Sequence, residues 1–330
     1  MLDWRNFTAA RGDWTREEIR GVYHSPMLDL IFAAGNLHRA LHPANEVQVC
    51  TLLSVKTGGC PEDCAYCPQA ARYQTDLEVH RLMDVDKVLD AAREAKDAGS
   101  TRFCMGAAWR EVRDNRDFER IITMIEGVNA MGMEVCCTLG MITEEQAVRM
   151  KAAGLHAYNH NLDTAPEFYD KIITTRTYED RLRTLDNVRK AGITVCCGGI
   201  VGMGENDDER IGLLHTLANL RPHPESTPIN ALVAVEGTPL GDRPKVQIWD
   251  MVRMIATARL ILPYTQVRLS AGRVHMSEEQ QALCFLAGAN SIFAGEKLLT
   301  TPNNERDSDA ELFALLGLVP RVPNKELQTA

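Results

Sequence analysis

The sequence lacks an excess of basic residues, and it lacks any long uninterrupted apolar run. Its 330 residues include 36 Lys and Arg against 45 Asp and Glu, which gives a formal net charge of -9. That charge repels nucleic acids and anionic membranes unless a local basic patch intervenes, and the sequence contains no such patch. No segment resembles a membrane span or the apolar core of a signal peptide. We therefore expect a cytosolic protein with no membrane and no nucleic-acid partner.

Cysteine, in contrast, is abundant, with 10 residues of this type. Because cytosolic thiols are kept reduced, a disulfide framework is not expected, and metal or redox chemistry is the better interpretation. Three cysteines lie close together at Cys60, Cys64 and Cys67, whereas others recur at long intervals at Cys104, Cys136, Cys137, Cys196 and Cys197. These two populations predict two separate sites.

From Val47 onward the sequence repeats one unit, in which a β-prone run, a loop and an amphipathic helix are usually followed by a glycine. Eight runs are predicted as strands, at residues 47–55, 101–107, 133–139, 155–161, 193–201, 227–233, 265–270 and 290–294. Helix-ending glycines are predicted at Gly99, Gly132, Gly154 and Gly192, and capping boxes at Thr143 and Ser277.

Strands that alternate with helices imply parallel crossovers, so the sequence predicts an α/β fold of the (β/α)8 TIM type. An open or incomplete barrel is the alternative. Residues 1–45 are expected to form an N-terminal helical segment packed on the barrel. Residues 46–300 are expected to form the barrel itself, and residues 301–330 a C-terminal tail interrupted by prolines.

The chemistry of such a barrel lies at the carboxyl ends of its strands. One set of residues falls in the second, third, fifth and seventh strands and can point into a single lumen: Cys104, Cys136, Cys196 and Arg268. Adjacent strand residues face opposite sides, so only one member of each neighbouring cysteine pair can point inward. The pattern does not settle which member does. Both pairs begin at the fourth residue after a helix-ending glycine, which predicts that the two strands present equivalent members.

A short loop after the first strand carries Cys60, Cys64 and Cys67. Three thiolates in such a loop can hold a 4Fe-4S cluster. Clusters held by protein alone use four cysteines, so three leave one iron open to another ligand. A structural zinc site is the alternative, but zinc sites usually combine two short pairs, and no second pair lies nearby.

The spacing of Cys60, Cys64, Tyr66 and Cys67 resembles the cluster motif of the radical S-adenosylmethionine superfamily. In that superfamily the open iron binds the amino and carboxylate groups of S-adenosylmethionine. Residues 198–205 are similar to its Gly-x-Ile-x-Gly-x-x-Glu pattern, although a glycine-rich run alone more often marks a simple turn. The resemblance implies that the cofactor's adenine lies near Tyr66, Gly199, Ile200 and Gly202.

Longer segments resemble the biotin synthase family, and the likeness extends from about Thr15 to Leu318. They lie at residues 60–69, 102–109, 158–164, 228–230 and 267–273. The resemblance implies a second cluster, 2Fe-2S, whose ligands would be Cys104, Cys136, Cys196 and Arg268. An arginine ligand is unusual, because a guanidinium is normally cationic and has no acceptor. Without the family, Arg268 would be interpreted as a carboxylate-binding residue.

The same resemblance implies the contacts of the small molecules. Asp163 would bond the ribose hydroxyls of S-adenosylmethionine, Asn161 would contact both ribose and substrate, and Asn230 would pair with the ureido ring of dethiobiotin. His156 and His160 are interpreted as hydrogen-bonded strand residues and not as metal ligands. Four cysteines that fall outside the implied sets are interpreted as small buried hydrophobic residues, namely Cys50, Cys137, Cys197 and Cys284.

The reaction implied by the resemblance begins when an external donor such as flavodoxin reduces the 4Fe-4S cluster, and S-adenosylmethionine is cleaved. The resulting 5′-deoxyadenosyl radical abstracts hydrogens from dethiobiotin, and sulfur is inserted from the 2Fe-2S cluster. A homodimer is a further family expectation. Two alternatives are a sister radical enzyme of the hydrogenase-maturation type and a non-catalytic iron-sulfur carrier.

Overall fold

The computed structural model describes residues 2–322 of the chain. Its strands are β1 (Glu46–Lys56), β2 (Arg102–Ala107), β3 (Glu134–Thr138), β4 (Ala157–Asn159), β5 (Thr194–Cys196), β6 (Gly199–Val201), β7 (Ser226–Ala231), β8 (Gln266–Leu269), β9 (Ser291–Ala294) and β10 (Val319–Pro320). They pair in the order β10-β1-β2-β3-β4-β5-β7-β8-β9, and β1 also pairs with β9. All of these pairings are parallel.

The pairing of β1 with β9 closes the sheet into a barrel. Because β5 and β6 both pair with β7, they occupy one position between them, and the barrel has eight strand positions. The predicted (β/α)8 TIM-type barrel is therefore confirmed, and the open alternative is wrong.

The predicted fifth strand, residues 193–201, is broken into β5 and β6. The break falls at Cys197 and Gly198, where the backbone runs against β7: a Cβ atom on Gly198 would lie 2.0 Å from the carbonyl oxygen of Pro228. Only glycine allows that approach. The contact is long-range, so the local sequence pattern could not reveal it.

The helices are α1 (Arg16–Tyr23), α2 (Met27–Leu41), α3 (Val85–Asp97), α4 (Arg116–Ala130), α5 (Glu144–Ala152), α6 (Pro166–Tyr169), α7 (Tyr178–Lys190), α8 (Asp207–Asn219), α9 (Ile248–Ile261), α10 (Glu278–Leu286) and α11 (Arg306–Leu316). Single 3-10 turns lie at Trp4–Phe7 and Arg273–His275. The predicted capping boxes at Thr143 and Ser277 are present. The four predicted helix-ending glycines have φ values of 86°, 78°, 100° and 71°, as such caps require. No helix within residues 2–322 combines the length and apolar character needed to cross a membrane.

Both ends of the described chain pack on the barrel. Helices α1 and α2 contact α8 and α9, and the backbone N–H of Trp14 donates to Asn219 Oδ1 at 2.9 Å. The segment predicted as a C-terminal tail contains α11 and β10, and β10 adds to the edge of β1. Residues 323–330 of that predicted tail lie outside the described residues.

A layer of charged side chains fills the amino end of the barrel lumen. Arg102, the first residue of β2, is fully buried and donates to Glu134 at 2.8 Å and to Glu225 at 3.0 Å. A buried ion pair is tolerated when both partners are hydrogen-bonded, and here each carboxylate accepts from the same guanidinium. The space for a ligand therefore lies above this layer, toward the carboxyl ends of the strands.

Helix α11 is tied to the barrel by a buried ion pair between Arg273 and Asp309. The Arg273 guanidinium is fully buried and also donates to Gln281 Oε1 and to the Phe293 carbonyl oxygen, each at 3.0 Å. We expect Asp309→Asn to lower the free energy of unfolding by about 3 kcal/mol, because it leaves a buried cation without its counter-charge. Chemical denaturation measures this loss.

The matched control for this prediction is Asp307→Asn, on the exposed side of the same helix. It should change the free energy of unfolding by less than about 0.5 kcal/mol. Equal losses of unfolding free energy in the two variants would show that any negative charge on α11 stabilises the fold, and that the buried ion pair has no special role.

Candidate functional site

A cavity of about 300 Å³ opens at the carboxyl ends of the barrel strands. Predicted residues from seven separate parts of the chain line its wall: Cys60, Cys64, Tyr66, Cys67, Cys104, Cys136, Asn161, Asp163, Cys196, Ile200, Asn230 and Arg268. Gly199 and Gly202 are not part of the wall. The sequence predicted two separate groups of cysteines. The barrel places the loop cysteines and the strand cysteines around one cavity.

The loop that carries Cys60, Cys64 and Cys67 is closed by its own backbone. The Cys60 N–H donates to the Gln69 carbonyl oxygen at 2.9 Å, and the Cys60 carbonyl accepts from Ala71 at 2.7 Å. The Cys67 N–H donates to the carbonyl oxygen of Cys64 at 2.9 Å. These bonds fold the loop back on itself, and all three cysteines lie at the cavity wall.

Asp63 anchors this loop to the segment that follows α6. Its Oδ1 accepts from the backbone N–H groups of Thr174 at 2.9 Å and Thr175 at 3.2 Å. Burial alone would raise the pKa of Asp63, but the hydrogen bonds from Thr174 and Thr175 lower it to about 2. The carboxylate is therefore charged and holds the loop in place at neutral pH.

Burial has the opposite effect on the loop thiols. It raises the pKa of Cys67 to about 12, and it also raises the pKa values of Cys60 and Cys64. Thiolates in this environment need a nearby positive charge, which metal ions supply when they displace the thiol protons. The loop is suited to binding metal and not to free-thiolate chemistry.

Asp163 is held at the cavity by two side chains. Its Oδ2 atom accepts from the Tyr66 hydroxyl at 2.9 Å and from the Arg181 guanidinium, with which it forms a buried ion pair. Its backbone has a φ of 66°, a left-handed conformation that is uncommon outside glycine. Such a constrained carboxylate is typical of a binding residue.

Arg176 was missed by the sequence analysis. Its side chain is almost fully buried at the cavity wall, its Nη2 lies 3.9 Å from Cys64 Sγ, and within the described residues its Nε has no hydrogen-bond partner. Its Nε also lies 3.9 Å from Glu62 Oε2, and Arg181 is paired with Asp163, so each guanidinium beside the loop cysteines already faces a buried carboxylate. The sequence offered no signal, because an arginine next to a helix start is usually solvated.

Both predicted asparagines have their amide orientation fixed by backbone or side-chain partners. Asn161 Oδ1 accepts from Asn159 Nδ2 and from the Gly198 N–H, each at 3.1 Å, so its amide NH₂ is what it can offer a ligand. Asn230 Nδ2 donates to the Gly199 carbonyl at 2.9 Å, and its Oδ1 accepts from the Ala271 N–H at 3.2 Å. An amide has two N–H groups and two lone pairs, so Asn230 retains one donor and one acceptor.

The glycine-rich segment supports the wall from behind. A Cβ atom on Gly199 would lie 2.6 Å from the Asp163 carbonyl oxygen, which accepts a hydrogen bond from Ile200 at 2.8 Å. Gly202 donates to Glu205 Oε1 at 2.8 Å, which folds the loop after β6. Of the three residues of this segment that are predicted to approach the cofactor, Ile200 alone reaches the cavity wall.

In the lumen, the first member of each adjacent cysteine pair faces inward. Cys136 and Cys196 line the cavity, whereas Cys137 and Cys197 pack in the main core between barrel and helices. The two strands therefore present equivalent members, as their spacing from the preceding glycines predicted. Arg268, also buried, lies with its Nη1 atom 3.5 Å from Cys196 Sγ.

Cys50 is fully buried, as predicted, but it lies in the barrel lumen and not in the main core between barrel and helices. It belongs to a small lumen group with Cys104 and Cys136, and its Sγ atom lies 3.4 Å from Arg268 Nη2. A sequence signal was present in β1, where alternation puts Cys50 and Leu52 on one face. That signal could be used only once the strand register is known. The register pairs Leu52 with Cys104, which places the face of Cys50 and Leu52 beside the lumen cysteine of β2.

The two histidines differ in position. His160 is buried in the cavity wall, and burial lowers its pKa well below the ordinary value, so its ring is neutral. His156, which precedes β4, is not part of the wall.

The thiols of the described residues do not converge on a single metal ion. No group of three or more His, Cys, Asp or Glu side chains between residues 2 and 322 is close enough to hold one. An iron-sulfur cluster places its protein ligands farther apart, because several irons and bridging sulfides lie between them. The two sets of cysteines at one cavity therefore fit clusters better than a lone ion.

Comparisons with known proteins agree with this chemistry. Residues 54–217 match the radical SAM superfamily, and residues 228–319 match the biotin and thiamin synthesis associated domain. The chain is 68% identical to biotin synthase of Cytophaga hutchinsonii, over 95% of this chain and 93% of that protein. It is 62% identical to the mitochondrial biotin synthase of Arabidopsis thaliana, over 95% of this chain and 83% of that one.

Solved structures share the fold at low sequence identity. A methylornithine synthase superposes with a TM-score of 0.79 at 16% identity, over 93% of this chain and 94% of that chain. The FeFe-hydrogenase maturase of Carboxydothermus hydrogenoformans superposes with a TM-score of 0.81 at 16% identity, over 94% of this chain and 77% of that chain. These likenesses show the barrel alone, whereas the curated relatives are far more similar in sequence. The chain belongs to the biotin synthase family of radical S-adenosylmethionine enzymes.

Proposed function

We propose that this chain converts dethiobiotin to biotin, with two iron-sulfur clusters held at opposite ends of one cavity. The observation that carries the proposal is that the three-cysteine loop and the lumen cysteines line the same cavity wall. When bound, the 4Fe-4S cluster and S-adenosylmethionine supply a 5′-deoxyadenosyl radical, and the 2Fe-2S cluster supplies sulfur. The protein's part is to hold substrate between these groups and to exclude water.

In this proposal Cys60, Cys64 and Cys67 hold the 4Fe-4S cluster. The family resemblance assigns the 2Fe-2S cluster to Cys104, Cys136, Cys196 and Arg268. The depth of the two sets supports the division, because Cys60 and Cys67 are partly exposed at the barrel mouth, whereas the lumen residues are buried. A substrate that enters from the mouth would meet the first set before the second.

S-adenosylmethionine would lie on the mouth side. Asp163, already oriented by Tyr66 and Arg181, would accept from the ribose hydroxyls, and the NH₂ group of Asn161 would donate to the ribose and to the substrate. Ile200 would contact the adenine, with Gly199 and Gly202 shaping the backbone behind it. The buried Arg176, whose Nε–H makes no hydrogen bond within the described residues and lies 3.9 Å from Glu62 Oε2, would donate to the cofactor's carboxylate.

Dethiobiotin would be oriented by Asn230. The donor and the lone pair that remain on its amide match the carbonyl and N–H of a ureido ring, and its other two bonds prevent the amide from rotating. The apolar wall beside it, with Leu232 and Leu298, would contact an aliphatic chain.

These roles predict opposite binding defects in two variants. Asn230→Ala should weaken dethiobiotin binding about tenfold and leave S-adenosylmethionine binding unchanged, because it removes a paired donor and acceptor. Asp163→Asn should weaken S-adenosylmethionine binding and leave dethiobiotin binding unchanged, because it removes the carboxylate that would accept from the ribose hydroxyls. Equilibrium dialysis of the reconstituted variants with each small molecule measures both effects. Parallel losses of both ligands in both variants would contradict the assignment and indicate a general collapse of the cavity.

An absorption spectrum with an iron and sulfide count, together with an assay for S-adenosylmethionine cleavage, tests the function. A biotin-forming enzyme should contain both clusters and cleave the cofactor. A sister enzyme with the first cluster alone should lack the second set of iron and sulfide. A non-catalytic carrier should hold iron but cleave nothing.

The resemblance also supports three proposals about the protein's surroundings, namely an external electron donor such as flavodoxin, a homodimer, and a cytosolic location. Sedimentation at several concentrations tests the homodimer. A mass of one chain at all concentrations would overturn it.

A further inference from the structure

Lys56 is the last residue of β1, and it lies directly before the loop that carries Cys60. Its ammonium donates to the carbonyl oxygen of Gly58 and to that of Ala108, the latter at 3.0 Å. A Cβ atom on Gly59 would lie 3.7 Å from Lys56 Nζ. The side chain therefore runs along the loop and fixes a positive charge beside the residues that lead into Cys60.

A second cavity, of about 310 Å³, lies against the same loop. Lys56 lines it together with Gly59 and Pro61, which flank Cys60 in the chain. Cys60 itself lines the first cavity, at the barrel mouth. The loop thus separates the two spaces, and the lysine charge lies behind Cys60, away from the barrel cavity.

The arginines around the loop are each offset by a carboxylate. They form the pairs Arg72–Asp63, Arg110–Glu62, Arg176–Glu62 and Arg181–Asp163. Within residues 2–322, Lys56 forms no such pair, because its hydrogen-bond partners are two neutral carbonyls. The two carboxylates that line the second cavity, Glu111 and Asp117, face Arg113 and Arg120 instead. Among these cations, Lys56 alone keeps a charge that no carboxylate of the described chain offsets.

We propose that Lys56 favours reduction of the 4Fe-4S cluster, because its fixed positive charge stabilises the electron that the cluster accepts. The inference rests on the first cluster of the proposed function. The step is the transfer of one electron from a low-potential donor, which is oxidised, to the cluster, which gains one negative charge. No bond or proton moves. Nearby charge is one of the factors that set the potential of an iron-sulfur cluster.

The size of the effect follows from Coulomb's law. A unit charge about 10 Å from the added electron, at the intermediate dielectric constant of a partly buried site, changes the equilibrium constant for reduction by about tenfold. For a one-electron couple this corresponds to about 59 mV.

The test is Lys56→Met and Lys56→Gln in the full chain, reconstituted without oxygen. Methionine removes both the charge and the donors, whereas glutamine removes the charge but keeps a donor for the carbonyls. A redox titration followed by electron paramagnetic resonance measures the potential of the 4Fe-4S cluster. We expect both variants to lower the equilibrium constant for reduction about tenfold, which is a shift of about 59 mV to more negative potential.

Two further variants separate the fixed charge from other effects. Lys56→Arg keeps the charge and should keep the wild-type potential. Arg113→Gln removes an exposed charge from the same cavity, 3.9 Å from Glu111, and should change the equilibrium constant by less than about twofold. Iron content and circular dichroism are measured in all four variants.

A wild-type potential in fully loaded Lys56→Met and Lys56→Gln would overturn the inference. Loss of the cluster's iron in both variants would also overturn it, because Lys56 would then be a structural tether of the loop. An equal shift in Lys56→Arg would show that the geometry of the side chain, and not its charge, sets the potential. A wild-type chain that binds no four-iron cluster would instead contradict the proposed function, and the inference would fail with it.

Discussion

Replacing any one of Cys60, Cys64 and Cys67 with alanine is expected to abolish 5′-deoxyadenosine formation, lowering its rate by more than about 100-fold. Each variant leaves two thiolates where the 4Fe-4S cluster needs three, so the iron that binds S-adenosylmethionine is lost with the cluster. Chromatographic measurement of 5′-deoxyadenosine after anaerobic reconstitution reports the effect directly.

The fold should survive these substitutions. The loop is held by its backbone bonds and by Asp63, which remains bonded to Thr174 and Thr175 in all three variants. Circular dichroism and the denaturation midpoint should therefore stay close to those of the wild type. A variant that cleaves S-adenosylmethionine at the normal rate would refute the assignment of the first cluster.

The adjacent cysteines should respond in opposite ways. Cys136→Ala and Cys196→Ala are expected to reduce the 2Fe-2S absorbance and the biotin yield to roughly a tenth or less, because they remove ligands. Cys137→Ala and Cys197→Ala should keep both, because these side chains lie on the outer face of the same strands. Absorbance, iron content and biotin yield are measured in all four variants.

Each pair provides its own control. The two members are equally buried and similar in packing, so a packing role predicts similar damage within a pair, whereas ligation predicts an asymmetric loss. Equal retention of the absorbance in all four variants would refute the ligand set. Selective loss in Cys137→Ala and Cys197→Ala would mean that the strand register is wrong by one residue.

The barrel could be predicted because its signals are local. Strand runs, helix-ending glycines and capping boxes each depend on a few neighbouring residues, and the structure contains them at the expected positions. The break between β5 and β6 could not be predicted, because it depends on the close approach of Gly198 to Pro228 across the sheet.

The candidate site was also predictable only where its sequence signals are local. The loop motif and the inward-facing strand residues follow from spacing, with the family resemblance adding their roles. The lumen position of Cys50 and the cavity position of Arg176 could not be predicted, for different reasons. The place of Cys50 depends on how β1 registers with its neighbours, and Arg176 reaches the cavity because the segment after α6 folds back onto the cysteine loop.

The most direct test of the central claim is anaerobic incubation of the reconstituted chain with dethiobiotin, S-adenosylmethionine and a reductant, followed by mass analysis for biotin. We expect biotin to appear together with 5′-deoxyadenosine, and neither to form in Cys64→Ala. If the wild-type chain carries both clusters and releases 5′-deoxyadenosine but no biotin, the proposed sulfur insertion is contradicted.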